Sequence, residues 1–432
     1  MFDLHFRKKR KNTIQGSPTY SMNLKYYVIN GILSTIAITL YKTFAVKFLF
    51  RVGGSEFHAS LYNALPGFIA MFAMLPGMLW MTKAKNKKNT MGILFLSSRL
   101  FILSLAVVPF LPIQFQPMVF VMLCSLMNFP DAVSSTALQS FSGDIFLPEE
   151  RSTAISDRNK YSTLAQVISL FLLGELLSGF KWGNKQIIYL YQIMFVIGFI
   201  ISLYEIRVFF KLKETSCVKN ENLNIRKSLK TIYKNKGFCA FMCCSLLFHF
   251  GWQMGWPLFN IYQIKYLKAD EGWLTILTIT SNMVMVLSYS FWNKMIKKKG
   301  NPFVMAVTTL GMSITPILFA LSSNLYIMTF MGLITGFFTS GTVIVLLSSL
   351  LEVVPENSRM IYVGIHATLT NITLAIAPLI GDSILSHTSI YGALVATAIF
   401  RFIGSSAFFI RNRKIEINNN KISKKIASPI KM

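Results

Sequence analysis

The chain has 432 residues, 53% of them hydrophobic and only 14% charged, with a mean hydropathy of +0.51. That is too little charge to cover a soluble protein of this size, and the apolar residues gather in runs of about 20, the length that crosses a hydrocarbon core of about 30 Å. A net charge of +26 raises the question of nucleic acid, but the bases fall in short loops and tails between the apolar runs, where they orient a membrane protein, so no nucleic-acid partner is expected.

Residues 1–25 read as a basic, polar N-terminal tail carrying Arg7-Lys8-Lys9-Arg10-Lys11 and no cleavable signal peptide. Apolar windows then predict spans near 26–50, 59–81, 91–111, 117–141, 160–180 and 187–210, the third and fourth separated only by the Pro112–Pro117 turn. In the first span, Asn30 and Lys42 are candidates for a solute path, while Lys47 reads as snorkelling to the interface. The fourth span carries Asn128, Asp131, Ser135, Gln139 and Ser142 at helical spacing. A lone carboxylate at the depth of Asp131 is costly, and Arg99 in the third span lies at a comparable depth. Two readings stand: a buried, structural Arg99–Asp131 pair, or an Asp131 that faces the cavity for proton coupling or cation binding. Gln166 in the fifth span joins the candidate path, and Glu175 marks that span's outer end.

Residues 211–236 form a basic linker, after which windows near 237–264, 272–292, 302–321, 325–351, 360–384 and 388–410 predict six further spans, with residues 412–432 as a tail. The domain reading is therefore 26–210 and 237–411, two six-helix units around the linker. In the seventh span His249, Gln253, Trp256 and Asn260 recur at i, i+4, i+7 and i+11, one stripe of a helix that Gly251, Gly255 and Pro257 allow to bend. The stripe either lines a cavity or glues helices together. Gly332, Gly336 and Ser340 in the tenth span make a small-residue packing face. His366 in the eleventh shares a face with Thr370 and Thr373, beside Asn371, and reads as a titrating group or a satisfied core histidine. Arg401 in the twelfth has no visible partner.

Of the 43 lysines and arginines, 33 fall on the side of the two tails and the linker and 5 on the other. Such asymmetry puts both termini in the cytoplasm, and the Lys, Asn and Ile richness suggests a bacterial plasma membrane. The five cysteines lack metal-ligand spacing, and no nucleotide-binding loop, zinc motif or nucleophile elbow is present. No metal, cofactor or enzymatic activity is expected.

The halves repeat. Asp144-Ile-Phe-Leu-Pro148-Glu-Glu-Arg151 follows the fourth span and Glu352-Val-Val-Pro355-Glu-Asn-Ser-Arg359 the tenth. Gly174 and Gly381 stand 23 and 22 residues beyond the two arginines. The basic loop after the second span (Lys83, Lys85, Lys87, Lys88) is matched by Lys294, Lys297, Lys298 and Lys299 after the eighth. The acidic-x-x-Pro-x-x-x-Arg segment at Glu352, Pro355 and Arg359 and its counterpart of altered spacing at Asp144, Pro148 and Arg151, together with Gly77 and the loop lysines, resemble the major facilitator superfamily over nearly the whole chain. Met81 takes the place of that family's loop aspartate, Asn293-Lys294 that of its second acidic-basic pair, and the fifth span lacks the antiporter run of glycines and proline.

The resemblance implies an all-α membrane protein of twelve spans in two pseudo-symmetric bundles, with a solute site between them. It also implies a cytoplasmic gate at Asp144, Pro148, Arg151, Glu352, Pro355 and Arg359, where ion pairs exchange between the halves. The expected function is secondary transport of a small organic solute by alternating access, proton-coupled, in a monomer whose partners are the lipid bilayer, the solute and protons. Export of amphipathic compounds and uptake of a sugar, amino acid or organic acid both stay open, as does a membrane sensor that binds a ligand and moves nothing.

Overall fold

A computed structural model of the chain describes residues 18–178, 183–214, 232–269 and 271–427. The first half comprises α1 (Pro18–Lys42), the short α2 (Ala45–Arg51), α3 (Glu56–Lys83), α4 (Lys87–Leu105), α5 (Gln116–Ile145), α6 (Pro148–Ser178) and α7 (Asn184–Phe209). The second comprises α8 (Lys236–Ile261), α9 (Glu271–Lys299), α10 (Asn301–Leu321), α11 (Leu325–Val353), α12 (Arg359–His387) and α13 (Ile390–Ala427). Among the described residues ten of these helices are long and apolar enough to cross a bilayer, and the bent α3 makes eleven. With α6 the long helices number twelve, the all-α, twelve-span architecture that the periodic apolar windows predict. Asparagine side chains accept the first free amides of α4, α8 and α11 (Asn86, Asn235 and Asn324), which fixes where these helices begin.

The two halves repeat in three dimensions. In the first, α1 packs on α6 and α7, α5 on α3 and α4, and α4 on α7. In the second, α8 packs on α12 and α13, α11 on α9 and α10, and α10 on α13, the same five contacts at equivalent places. Between the halves, α6 runs along α9 and α3 along α12.

Close backbone approach accounts for part of this packing. A Cβ on Gly336 would stand 2.5 Å from the Ser281 carbonyl oxygen, so α11 can lie against α9 only with glycine there. Gly332 faces open space, so the small-residue face of the tenth span acts through Gly336 and the buried Ser340. Gly77 likewise lies against Val133, which makes it a packing glycine between α3 and α5.

Three boundaries differ from the sequence expectation. The first span is broken at Thr43–Phe44 into α1 and α2. The segment expected as a loop over 141–160 is almost all helix, because α6 begins at Pro148, a favourable first helical residue. Its polar first turns read as solvent-facing, yet residues 150–156 are buried against the other half. Likewise α13 continues to Ala427, so most of the expected tail is helical. Gly336→Val is expected to cost about 1–3 kcal/mol through overpacking and to lower the thermal unfolding midpoint in detergent, while Gly332→Val leaves it unchanged.

Candidate functional site

A buried charge cluster sits in the first half. The fully buried Arg99 on α4 donates from Nη1 to Asp131 Oδ1 at 2.8 Å and to Ser98 Oγ at 3.1 Å. Its Nε and Nη2 reach Glu205 Oε2 and Oε1, each at 3.2 Å, a two-pronged bond that fits the planar guanidinium. Glu205, on α7, is the partner that sequence reasoning missed. It sits near the end of an apolar window, where a single acid reads as interfacial. Glu205 is 2% exposed, whereas the Asp131 side chain retains 22%. Two carboxylates thus share one cation, and Asp131 both pairs with Arg99 and keeps part of its surface open.

Of the predicted α5 stripe, Ser142 is fully buried. Exposed apolar Met118, Met122, Leu126 and Phe129 mark one side of α5, and exposed Ser135 and Gln139 mark another, in line with Asp131. Asn128 on that stripe donates to the Pro66 carbonyl of α3. On α8, exposed Cys243 and Leu247 mark the outer side, while Trp256 and Asn260 are exposed on the opposite one.

Deeper on that second stripe, His249 and Gln253 are engaged by α12. His249 Nδ1 lies 2.8 Å from the Ser245 carbonyl oxygen, so this nitrogen carries the proton. The Ser245 hydroxyl reaches His366 Nε2 at 2.9 Å. Gln253 Nε2 donates to Thr370 O at 3.2 Å and Gln253 Oε1 accepts from the Thr373 hydroxyl at 2.6 Å. The polar stripes of the seventh and eleventh spans therefore form one ladder. Asn371 on α12 and Gln166 on α6 lie half-buried within stretches, 365–375 and 157–166, where residues on every side of the helix are half-buried.

Just before those stretches every residue is buried: 150–156 on α6 and 359–364 on α12. Here the halves meet, at the end of the bundle where α1 starts and α13 finishes. Arg359 pairs with Asp144 of the first half, and Arg151 with Glu356 of the second at 3.6 Å. Arg359 also reaches Glu356 at 3.3 Å. Arg151 caps the end of α5 by donating to the Gly143 and Phe146 carbonyls. Asn293 meets the Ser152 hydroxyl at 3.1 Å, and the Ser156 hydroxyl donates to the Tyr289 carbonyl at 3.0 Å. A Cβ on Gly143 would stand 2.7 Å from Arg359 Nε, and one on Gly364 2.8 Å from Met78, so glycine permits closure at both crossings.

Several expected residues lie elsewhere. Asn30 is fully buried, donating to the Glu205 carbonyl and accepting from Arg158 at 2.9 Å, so in this conformation it ties α1, α6 and α7 and meets no open cavity. Arg158 spends its guanidinium on Asn30, on the Tyr27 carbonyl and over the Tyr27 ring. Lys42 is exposed at the end of α1. Glu352 accepts from Asn301 at 2.8 Å, and Glu356 takes the bridging place between the arginines. Pro355 precedes the short turn that carries Glu356. Lys88 donates to the Phe210 and Leu212 carbonyls and so caps α7, while Lys83 and Lys294 are exposed and Lys87 half-buried.

Arg401 is buried with no carboxylate among the described residues within ion-pair distance. It donates to the carbonyls of Gly251, Trp252 and Met312, each at 3.1 Å. Pro316 has no amide proton to offer the Met312 carbonyl, so Arg401 fills a bond that the proline leaves open.

Residues 241–431 match the model of the Major Facilitator Superfamily. No curated protein matches the chain in sequence. The fold is similar to that of the E. coli fucose:proton symporter FucP, at 11% identity and a TM-score of 0.70 over 90% of this chain and 99% of that one. It is similar to the human organic anion transporter MFSD10, at 11% identity and a TM-score of 0.70 over 91% and 100%. A bacterial homologue of the iron transporter ferroportin, in its outward-facing state, gives 12% identity and a TM-score of 0.69 over 90% and 99%. At such identities the likeness is one of fold.

The shared cation makes an asymmetric prediction. Arg99→Gln strands two carboxylates, one fully buried, and is expected to cost about 3–5 kcal/mol and most of the folded yield. Asp131→Asn leaves the Arg99–Glu205 pair intact, so its monodisperse yield on size-exclusion chromatography is expected to stay close to wild type.

Proposed function

From a chain whose residues 241–431 match the Major Facilitator Superfamily model and whose fold is similar to that of the fucose:proton symporter, we propose a secondary transporter of that superfamily that carries a small organic solute by alternating access, coupled to protons. The observation that carries this reading is the crosswise pairing at one end of the bundle. Arg359 reaches Asp144 and Arg151 reaches Glu356, each across the line between the halves. Glu356 is exposed and Asp144 keeps part of its surface open, so water can replace each arginine as the halves part, and such a latch can open and re-form in every cycle. Beyond the latch the helices turn from fully buried to half-buried on all sides, as expected of walls around a volume open at the other end. With the basic end in the cytoplasm, this conformation is closed inside and open outside.

The solute path lies between the α5 stripe (Asp131, Ser135, Gln139) and the α8–α12 ladder (His249, Gln253, Trp256, Asn260, His366). Asp131 is the coupling group. Arg99 is already held by both oxygens of Glu205, so the cluster carries one more carboxylate than cation. A charge of that kind inside a bilayer calls for a proton or a cation, and the partly exposed Asp131 is the member that solvent can reach. Protonating it frees one guanidinium donor of Arg99 and loosens α5 from α4, a local change able to bias the position of the half that contains them.

In vesicles loaded with a pH-sensitive dye, an imposed solute gradient drawn from pools of sugars, amino acids, organic acids and cationic dyes is expected to drive proton movement for one pool. Asp131→Asn is expected to abolish the proton movement while still exchanging labelled solute. Proton movement that survives in Asp131→Asn would remove Asp131 from the coupling role. Solute exchange that never occurs, with folded protein and direct uptake assays, would leave the sensor reading in place of transport.

A further inference from the structure

We propose that the open end of the bundle closes on a second crossed set of ion pairs, Asp382 with Arg51 and Glu175 with Lys265 and Lys268. The proposal rests on the alternating-access reading and assigns residues to the state not seen here.

The argument starts from direction. The helices that touch across the halves run antiparallel, so contacts at one end fix which residues stand level at the other. On α6 and α9, Ser152 meets Asn293, Ser156 meets Tyr289 and Lys160 meets Ser290. Continued along both helices, that register brings Glu175 level with the first turn of α9, just past Lys265 and Lys268. On α12 and α3, Gly364 meets Met78. Asp382 lies eighteen residues beyond Gly364, five helical turns, and therefore on the same face of α12. Eighteen residues back from Met78 is position 60, at the start of the second turn of α3 and nine residues past Arg51.

The charges at these places are matched and free. Glu175, Asp382, Arg51, Lys265 and Lys268 are all exposed. Glu175 and Asp382 have no hydrogen bond or ion pair among the described residues. Arg51 holds only Asn184 of its own half, at 3.2 Å. The pairs also obey the repeat. Glu175 follows Gly174 and Asp382 follows Gly381, on α6 and α12, the same helices that carry Arg151 and Arg359 at their other ends. Each of these two helices thus bears a latch residue at both ends, with opposite sign: a base at the end now closed and an acid at the end now open. A rocking motion that parts Arg359 from Asp144 swings Asp382 toward Arg51, so one set of pairs is made as the other is broken.

The test is a distance measurement. Spin labels at Ile113→Cys and Tyr326→Cys, exposed turns of the two halves at the open end, report its width on a background with the five native cysteines replaced. Gly364→Leu, which wedges the closed end apart at Met78, is added to populate the alternate state. A new short-distance population is expected in the wedge variant. Asp382→Asn and Glu175→Gln are each expected to reduce that population relative to the long one by roughly threefold to fivefold, in line with an exposed pair. Asp382→Arg alone is expected to reduce it further, and Asp382→Arg with Arg51→Asp to restore it. A short-distance population that is present but indifferent to all four charge changes would overturn the proposal while leaving alternating access intact. No short-distance population in the wedge variant would overturn both.

Discussion

Two arginines, each reaching from its own half to an acid of the other, hold one end of this bundle shut, and the remaining geometry follows from where they lie. Arg151 and Arg359 both sit at the start of a helix that the opposite half must accept, so each half inserts one buried helix end into its twin. Ile155 packs among the second half's core and Met360 among the first's, an exchange of apolar residues within one turn of the exchanged charges. The apolar contact supplies the area while the ion pairs fix register and partner. The latch occupies one end alone, and beyond it the middles of α6 and α12 turn half-buried on every side.

The polar residues of the stripes on α5, α8 and α12 divide by what they already hold. Gln253, His249 and His366 are spoken for by the α8–α12 ladder, and Asn128 by α3. Trp256, Asn260, Ser135 and Gln139 are the ones left facing outward from their helices. The ladder joins two helices of the same half, so it travels as one unit when the halves move. A solute that bonds to Trp256 or Asn260 on one side and to Gln139 or Ser135 on the other would span the moving line, and that is the place where binding energy can bias the equilibrium between states.

Most of the architecture was legible before any coordinates. Runs of about 20 apolar residues fix the spans, and the repeated acid-Pro-Arg segments fix the symmetry, because both are local in sequence. The stripes on α5 and α8 were also legible, since helical spacing alone puts Asp131 with Gln139 and His249 with Asn260. What escaped was of three kinds. Residues 148–160 looked like a loop because their polarity was read as exposure to water, when it is exposure to the other half. The pairings of Glu205 with Arg99 and of Arg158 with Asn30 escaped because the partners lie more than a hundred residues apart. Glu352 was given the role that Glu356 fills, for the motif counts residues and the turn at Glu356–Ser358 decides which carboxylate points at the arginines.

The same physics explains how one fold keeps two arginines inside a bilayer by different means. In each half an arginine locks the equivalent helix pair, α4 with α7 and α10 with α13. Arg99 does so with two carboxylates, which leaves the first half with an excess negative charge in its interior. Arg401 does so with three backbone carbonyls, one of them freed by Pro316, and leaves the second half with an unneutralised positive one. Carbonyl dipoles satisfy the guanidinium's donors without cancelling its charge, so the equivalent helix pair is locked in both halves by different chemistry, and of the two arginines it is Arg99 whose partners are carboxylates, one of them partly open to solvent.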